Sequence, residues 1–169
     1  MKSILITILI FSTCMLTAQA DYKSNFLKKW ANAAKYTIEC AEAMPEELYD
    51  FKPTPEAMTF KEQLLHMVRN MMWLSTDYLE GTRHNFDLKD STLSKAAVIE
   101  ILQSTFILST EAVQDFPENR MSETVDFFAG PMEIQQIMML MTDHMTHHRG
   151  QILVYMRINN VEAPKYRGW

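Results

Sequence analysis

Three of the chain's five histidines fall within five residues, in the run His144-Met145-Thr146-His147-His148. On a helix, His144 and His148 are i and i+4 and project from one face, one turn apart. The same face carries Ile137, Leu140, Met141, Ile152 and Tyr155. Two imidazoles on an apolar face are costly unless something organises them. A divalent ion does this well, holding both rings neutral through one nitrogen of each. His147 points about 100° away from His148 and is expected to hydrogen-bond across the fold or to a partner subunit.

Two ligands do not make a site, so a third must come from another element. His66 is the only other histidine inside a helical stretch, whereas His84 sits in a loop beside Gly81 and Asn85 and reads as solvated. Periodicity leaves His66 open. It shares a polar stripe with Glu62, Arg69, Asn70 and Asp77, which suggests exposure, but Trp73 on that stripe suggests a cleft. HxxxH also lacks the Glu that makes HExxH specific. A His66–His144–His148 centre would leave coordination positions for water or substrate, and a bound water or thiol would lose its proton readily there.

The residues around these histidines carry their own expectations. Glu62 lies one turn before His66 and Asp143 adjoins His144, so either could orient an imidazole through its second nitrogen. For Glu62 the capping box Thr59-Phe60-Lys61-Glu62 is the stronger reading, and Asp143 points away from the His144 ring. Gln151 shares the His144 face and is placed to touch a ligand, while Arg149 is expected to form an ion pair. Gly150 within a helix costs roughly 1 kcal/mol against Ala, for which close approach of another helix is the usual reason. No Ser or Cys has a matching base. The 14 Met residues read as core filler rather than as thioether ligands for copper, because they scatter around their helices.

Four segments have helical character, and none alternates well enough to be a strand. They run from about Ser24 to Ala43, Thr59 to Glu80, Ser94 to Phe116, and from Gly130-Pro131 to Ile158. Pro45, Pro117 and Gly81 supply stops, and Pro131 suits a first helical position. Four helices of this length make an all-α four-helix bundle. The last is apolar nearly all round, which places it at the bundle centre or in a subunit interface. A homodimer follows as an expectation. The tail from Val161 to Trp169 is expected to pack across one end.

Composition narrows the function classes. With 21 acidic residues against 16 Lys and Arg, there is no basic footprint for nucleic acid. Residues 1–20 read as a secretory leader: Lys2 gives a positive start, Ile4 to Leu16 is almost wholly apolar, and Ala18-Gln19-Ala20 offers small residues for cleavage. The expected products are a leader, 1–20, and one helical domain, 21–169, exported to the periplasm or beyond. Removal of Lys2 takes the net charge from −5 to −6. It also removes Cys14, leaving Cys40 with no disulfide partner and reading as a buried, inert thiol. After the leader no apolar stretch is continuous enough to read as a membrane span.

Several blocks together resemble the DinB-like proteins. Phe60 to Met67 resembles the family's first metal-ligand segment, and His144-Met145-Thr146-His147-His148-Arg149-Gly150-Gln151 its second, continued by Tyr155-Met156-Arg157. Met44 to Pro55 and Asn159 to Pro164 resemble the family's linker and terminal segment. The likeness covers nearly the whole chain after the leader, and His-His-Arg-Gly-Gln is its most specific part. It implies an up-down-down-up bundle, often dimeric, with a divalent metal on His66, His144 and His148. Zinc or nickel is the expected ion, with iron or manganese as alternatives. Some such proteins are thiol-dependent transferases using bacillithiol, mycothiol or glutathione. Those thiols are cytoplasmic and this chain carries an export leader, so a transferase or hydrolase acting on a small molecule stands beside a non-catalytic dimeric metal-binding or interaction module.

Overall fold

The computed structural model describes residues 2–88, 90 and 92–169, with side chains from Tyr22 onward. The Cys14 side chain and the apolar residues of the 1–20 stretch lie outside the described side chains. Four helices dominate: α1 (Lys2–Ala43), α2 (Phe60–Tyr78), α3 (Lys95–Asp115) and α4 (Ile134–Ile158). α1 runs from Lys2 rather than from about Ser24, so the backbone of residues 2–20 continues into it without a break.

Each helix exists because one face is apolar at helical spacing and its ends are satisfied. On α1, Phe26, Trp30, Ala33, Thr37, Cys40 and Ala41 are buried, and Pro45 blocks continuation. The Trp30 indole N–H donates to Ser109 Oγ on α3 at 3.1 Å, and its ring packs against Phe26 and Phe106. The expected capping box opens α2. Thr59 Oγ1 accepts from the Glu62 N–H at 3.1 Å, and Glu62 Oε2 accepts from the Thr59 N–H at 2.7 Å. Ser94 caps α3 in the same way, accepting from the Ala97 N–H. By length and composition α3 could cross a membrane, which the sequence reading did not anticipate. Its apolar face, however, including Val98, Leu102 and Phe106, is buried in the bundle.

Cross-helix contacts give the directions. Lys23 reaches the carbonyls of Gln114 and Phe116, while Lys95 reaches those of Glu42 and Met44, so α1 and α3 are antiparallel. The Tyr22 hydroxyl meets the Gln135 carbonyl and Thr37 meets Met145, so α1 and α4 are parallel. Gln63 meets Gln151 and His66 meets His144, making α2 antiparallel to α4. This is the up-down-down-up bundle, with the long connection after α2 returning the chain to the top of α3.

Four further features differ from expectation. Residues from Gly130 do not open α4. Thr124–Val125 (β1) and Met132–Glu133 (β2) pair antiparallel, a ladder too short for alternation to register. Gly130, at φ +109°, turns the chain between them. α4 then starts at Ile134 with no side-chain cap, and the Ile134 and Gln135 N–H groups donate to the carbonyls of Glu123 and Met121. After α2 it is Glu80, not Gly81, that takes positive φ. Gly81 is needed for space, since a Cβ there would lie 2.7 Å from Ala112 Cβ and 2.9 Å from the Ser75 carbonyl oxygen.

The other two differences concern α4 and the tail. Gly150 is not a point of close approach, because a Cβ there would meet nothing within 4 Å. The tail runs back along α1 rather than across an end: Arg167 pairs with Glu39 at 3.0 Å, Asn32 donates to the Trp169 carbonyl, and Tyr166 packs edge-on against Tyr36.

Candidate metal centre

The antiparallel register of α2 and α4 brings His66 against the His144–His148 pair. Ligand nitrogens from all three lie within 4.8 Å of one another. His66 Nε2 and His144 Nε2 are 3.0 Å apart. A tetrahedral ion about 2.0–2.1 Å from each of two nitrogens holds them about 3.3 Å apart, so the donors already stand near a coordination spacing. His148 is buried, while His66 and His144 are half-buried, which leaves one side of the cluster open to solvent.

Electrostatics keep the rings in the ligating form. Burial first, then the neighbouring His148, His66 and His147, lowers the His144 pKa to about 4. Burial, then His66 and His147, does the same for His148, also to about 4. Burial and the Arg69 cation lower that of His66. Three close imidazoles cannot all carry protons in a partly desolvated cleft.

Gln63 orients the deepest ring, a role the sequence reading missed. The Tyr155 hydroxyl donates to the Met58 carbonyl at 3.0 Å, so its oxygen is free to accept from Gln63 Nε2 at 3.3 Å. Gln63 Nε2 also donates to Gln151 Oε1 at 2.7 Å. Gln63 Oε1 is then an acceptor, and His148 Nδ1–H donates to it at 2.6 Å. This tautomer leaves the His148 Nε2 lone pair without a proton. The available signal was an amide among the buried Phe60, Leu64, Met67 and Met71.

Other expectations resolve individually. Glu62 serves the capping box and Asp143 is exposed, and neither is hydrogen-bonded to an imidazole in this structure. Gln151 shares its amide between Gln63 and His147, and the His147 contact runs along α4 at 3.0 Å rather than across the bundle. His84 is not a solvated loop residue: it is half-buried, with Nε2 3.0 Å from Thr105 Oγ1. Arg149 forms no ion pair among the described residues. It is buried, with its guanidinium 5.0 Å from the Tyr36 ring centroid. Cys40 is fully buried and its thiol is pushed up to about 12, first by burial. Along α2 from His66, Asn70 keeps a buried Oδ1 without a hydrogen-bond partner. One turn further, Trp73 stacks on Phe127 at 5.5 Å and meets the exposed Phe128 at 6.1 Å.

Comparison with known proteins agrees with this architecture. The DinB family profile matches residues 15–164. An uncharacterized protein, YjoA, from Bacillus subtilis (strain 168) is 24% identical over 136 residues, spanning 78% of this chain and 87% of that protein. The crystal structure of a DinB-like protein from Bacillus cereus ATCC 10987 superposes with a TM-score of 0.73 at 21% identity, covering 85% of this chain and 96% of the other. That of B. subtilis YjoA gives 0.70 at 19% identity, covering 85% and 97%.

Proposed function

This chain belongs to the DinB family, and from that premise we propose that it is an exported metalloprotein holding one divalent ion on His66, His144 and His148 and acting on a small molecule as a transferase or hydrolase. The observation that carries the reading is the convergence of three histidine nitrogens within 4.8 Å from two helices. The donor set fits the ion, being three rings kept neutral by burial, one of them fixed in tautomer by Gln63. Zinc or nickel suits three imidazoles best, with iron or manganese as alternatives. When bound, such an ion supplies Lewis-acid polarisation and draws a proton from water or a thiol near neutral pH.

The chain's own residues do the rest. Burial of His148 and the Gln63–Gln151–Tyr155 network hold the donors in place. The open side at His66 and His144 admits a ligand. Trp73, seven residues along α2 from His66 and so about 10 Å away at the helical rise, forms with Phe128 an aromatic shelf on which an apolar part of a substrate would rest. The leader 1–20 and the domain 21–169 are read as separate products of export, which sets the cytoplasmic thiol cofactors apart from this site and favours water or a substrate's own thiol as nucleophile. The exposed Met139, Val154 and Ile158 on α4 support a homodimer in which that face is covered.

Elemental analysis of the purified, untagged protein and of its His66→Ala and His144→Ala variants tests the proposal. One metal per chain in the wild type, absent from both variants, is expected. A metal-free wild type after incubation with zinc, nickel, manganese and iron would overturn it.

A further inference from the structure

Arg149 presents a problem that the metal centre does not solve. It lies next to His148 on α4 but faces α1, and it is only 6% exposed. Its Nη1 is buried without a hydrogen-bond partner, and its Nη2 reaches Thr146 Oγ1 only at 3.4 Å. The groups that act on its charge are Cys40, Tyr36 and Tyr166, none of them a carboxylate. Glu39, on the same stretch of α1, is occupied by both arms of Arg167. A buried guanidinium without a counter-charge is expensive.

Beside it is a cavity of about 310 Å³, lined by Lys29, Tyr36, Thr146, Arg149, Leu153 and Tyr166. Gly150 forms part of the wall, in a helix interior where a Cβ would meet nothing within 4 Å. No packing constraint requires a glycine there, and its effect is to keep the space beside Arg149 bare. Arg157 adds positive potential at Tyr36. The cavity therefore combines unsatisfied positive charge, hydroxyl donors and room for a group much larger than one water.

We propose that this cavity binds a small soluble oxyanion, a carboxylate or a phosphate, which supplies the counter-charge Arg149 lacks. The planar guanidinium suits two oxygens of one anion, and Lys29, exposed at the edge, contributes the second cation. The site lies on the α1 side of α4 and does not depend on the metal reading.

The test is equilibrium binding of inorganic phosphate and of succinate to the purified protein at constant ionic strength, with chloride as reference. Saturable binding of at least one of them is expected. Gly150→Leu, which fills the cavity without removing a charge, should abolish it. Lys29→Ala, a surface change that leaves the core intact, should weaken it about tenfold, the scale of one charge-assisted hydrogen bond. His144→Ala should bind as the wild type does. Neither anion binding above chloride, full binding retained in both Gly150→Leu and Lys29→Ala, or binding lost in His144→Ala would each overturn the proposal, the last by moving the anion to the histidine cluster.

Discussion

His148 and Gln63 are joined by a 2.6 Å hydrogen bond that decides which nitrogen of the imidazole is free. Both residues are buried, and Gln63 is only 2% exposed. The bond connects α2 to α4 directly behind the histidine cluster, so the second helix supplies His66 to the cluster and also orients His148 on the fourth.

Removing that acceptor should therefore weaken metal binding without removing a ligand. Gln63→Leu is expected to lower affinity 10- to 100-fold, the usual consequence of losing a group that orients a metal-bound histidine. Gln63→Glu keeps an acceptor and should restore most of it. Competition against a chromophoric chelator reads both. Equal affinity in Gln63→Leu and wild type would refute the positioning role.

The lowered histidine pKa values give a pH dependence of defined sign. In the metal-free protein His144 and His148 titrate near 4 when folded and near 6.5 when unfolded. Between those values the unfolded state binds more protons, so folding stability falls as pH drops from 6.5 towards 4 and is unaffected by these groups above 6.5. Denaturant unfolding of metal-free protein at pH 7.5, 6 and 5 checks this. Stability that stays flat or rises over that descent contradicts it. With metal bound, proton competition should be weak until well below pH 6.5.

Loss of the α2 cap should cost stability but not the metal. Thr59→Ala removes the oxygen that accepts from the Glu62 N–H and is expected to destabilise by about 1 kcal/mol. Chemical denaturation should show a lower midpoint at unchanged slope, with metal content equal to wild type.

Gly150→Ala should do the opposite. The helix is regular at this position and a Cβ meets nothing within 4 Å, so the substitution is expected to raise stability by roughly 0.5–1 kcal/mol. A loss of stability in the same denaturation experiment would reveal a neighbour that the open space denies.

Cys40 should be silent until the protein unfolds. It is fully buried and its thiol is pushed up to about 12, so a thiol reagent at pH 8 should label a Cys14→Ser background only after denaturant is added. Stoichiometric labelling of the native protein would show that α1 opens there.

Much of this architecture was legible because it is local. Thr59 and Glu62 are three residues apart, and the capping box they form depends on nothing outside that turn. The helical stretch from about Ser24 to Ala43, stopped before Pro45, is legible in the same way. The i, i+4 pairing of His144 and His148 follows from helix geometry alone. Pro131 misled for the converse reason: its suitability for a helix start is a local preference, and pairing of β1 with β2 overrode it.

The sequence by itself determined the four helical stretches, the α2 capping box and the shared face of His144 and His148, because each follows from interactions within one or two turns. The tertiary structure decided which stripe of α2 meets α4. That register turned His66 from a residue on a polar stripe into the third member of the cluster, and it gave Gln63 its partner 85 residues away. It also left Arg149 buried over Tyr36, with no ion pair among the described residues. Such partners are selected by packing between helices distant in sequence, and helical periodicity carries no information about which faces will meet.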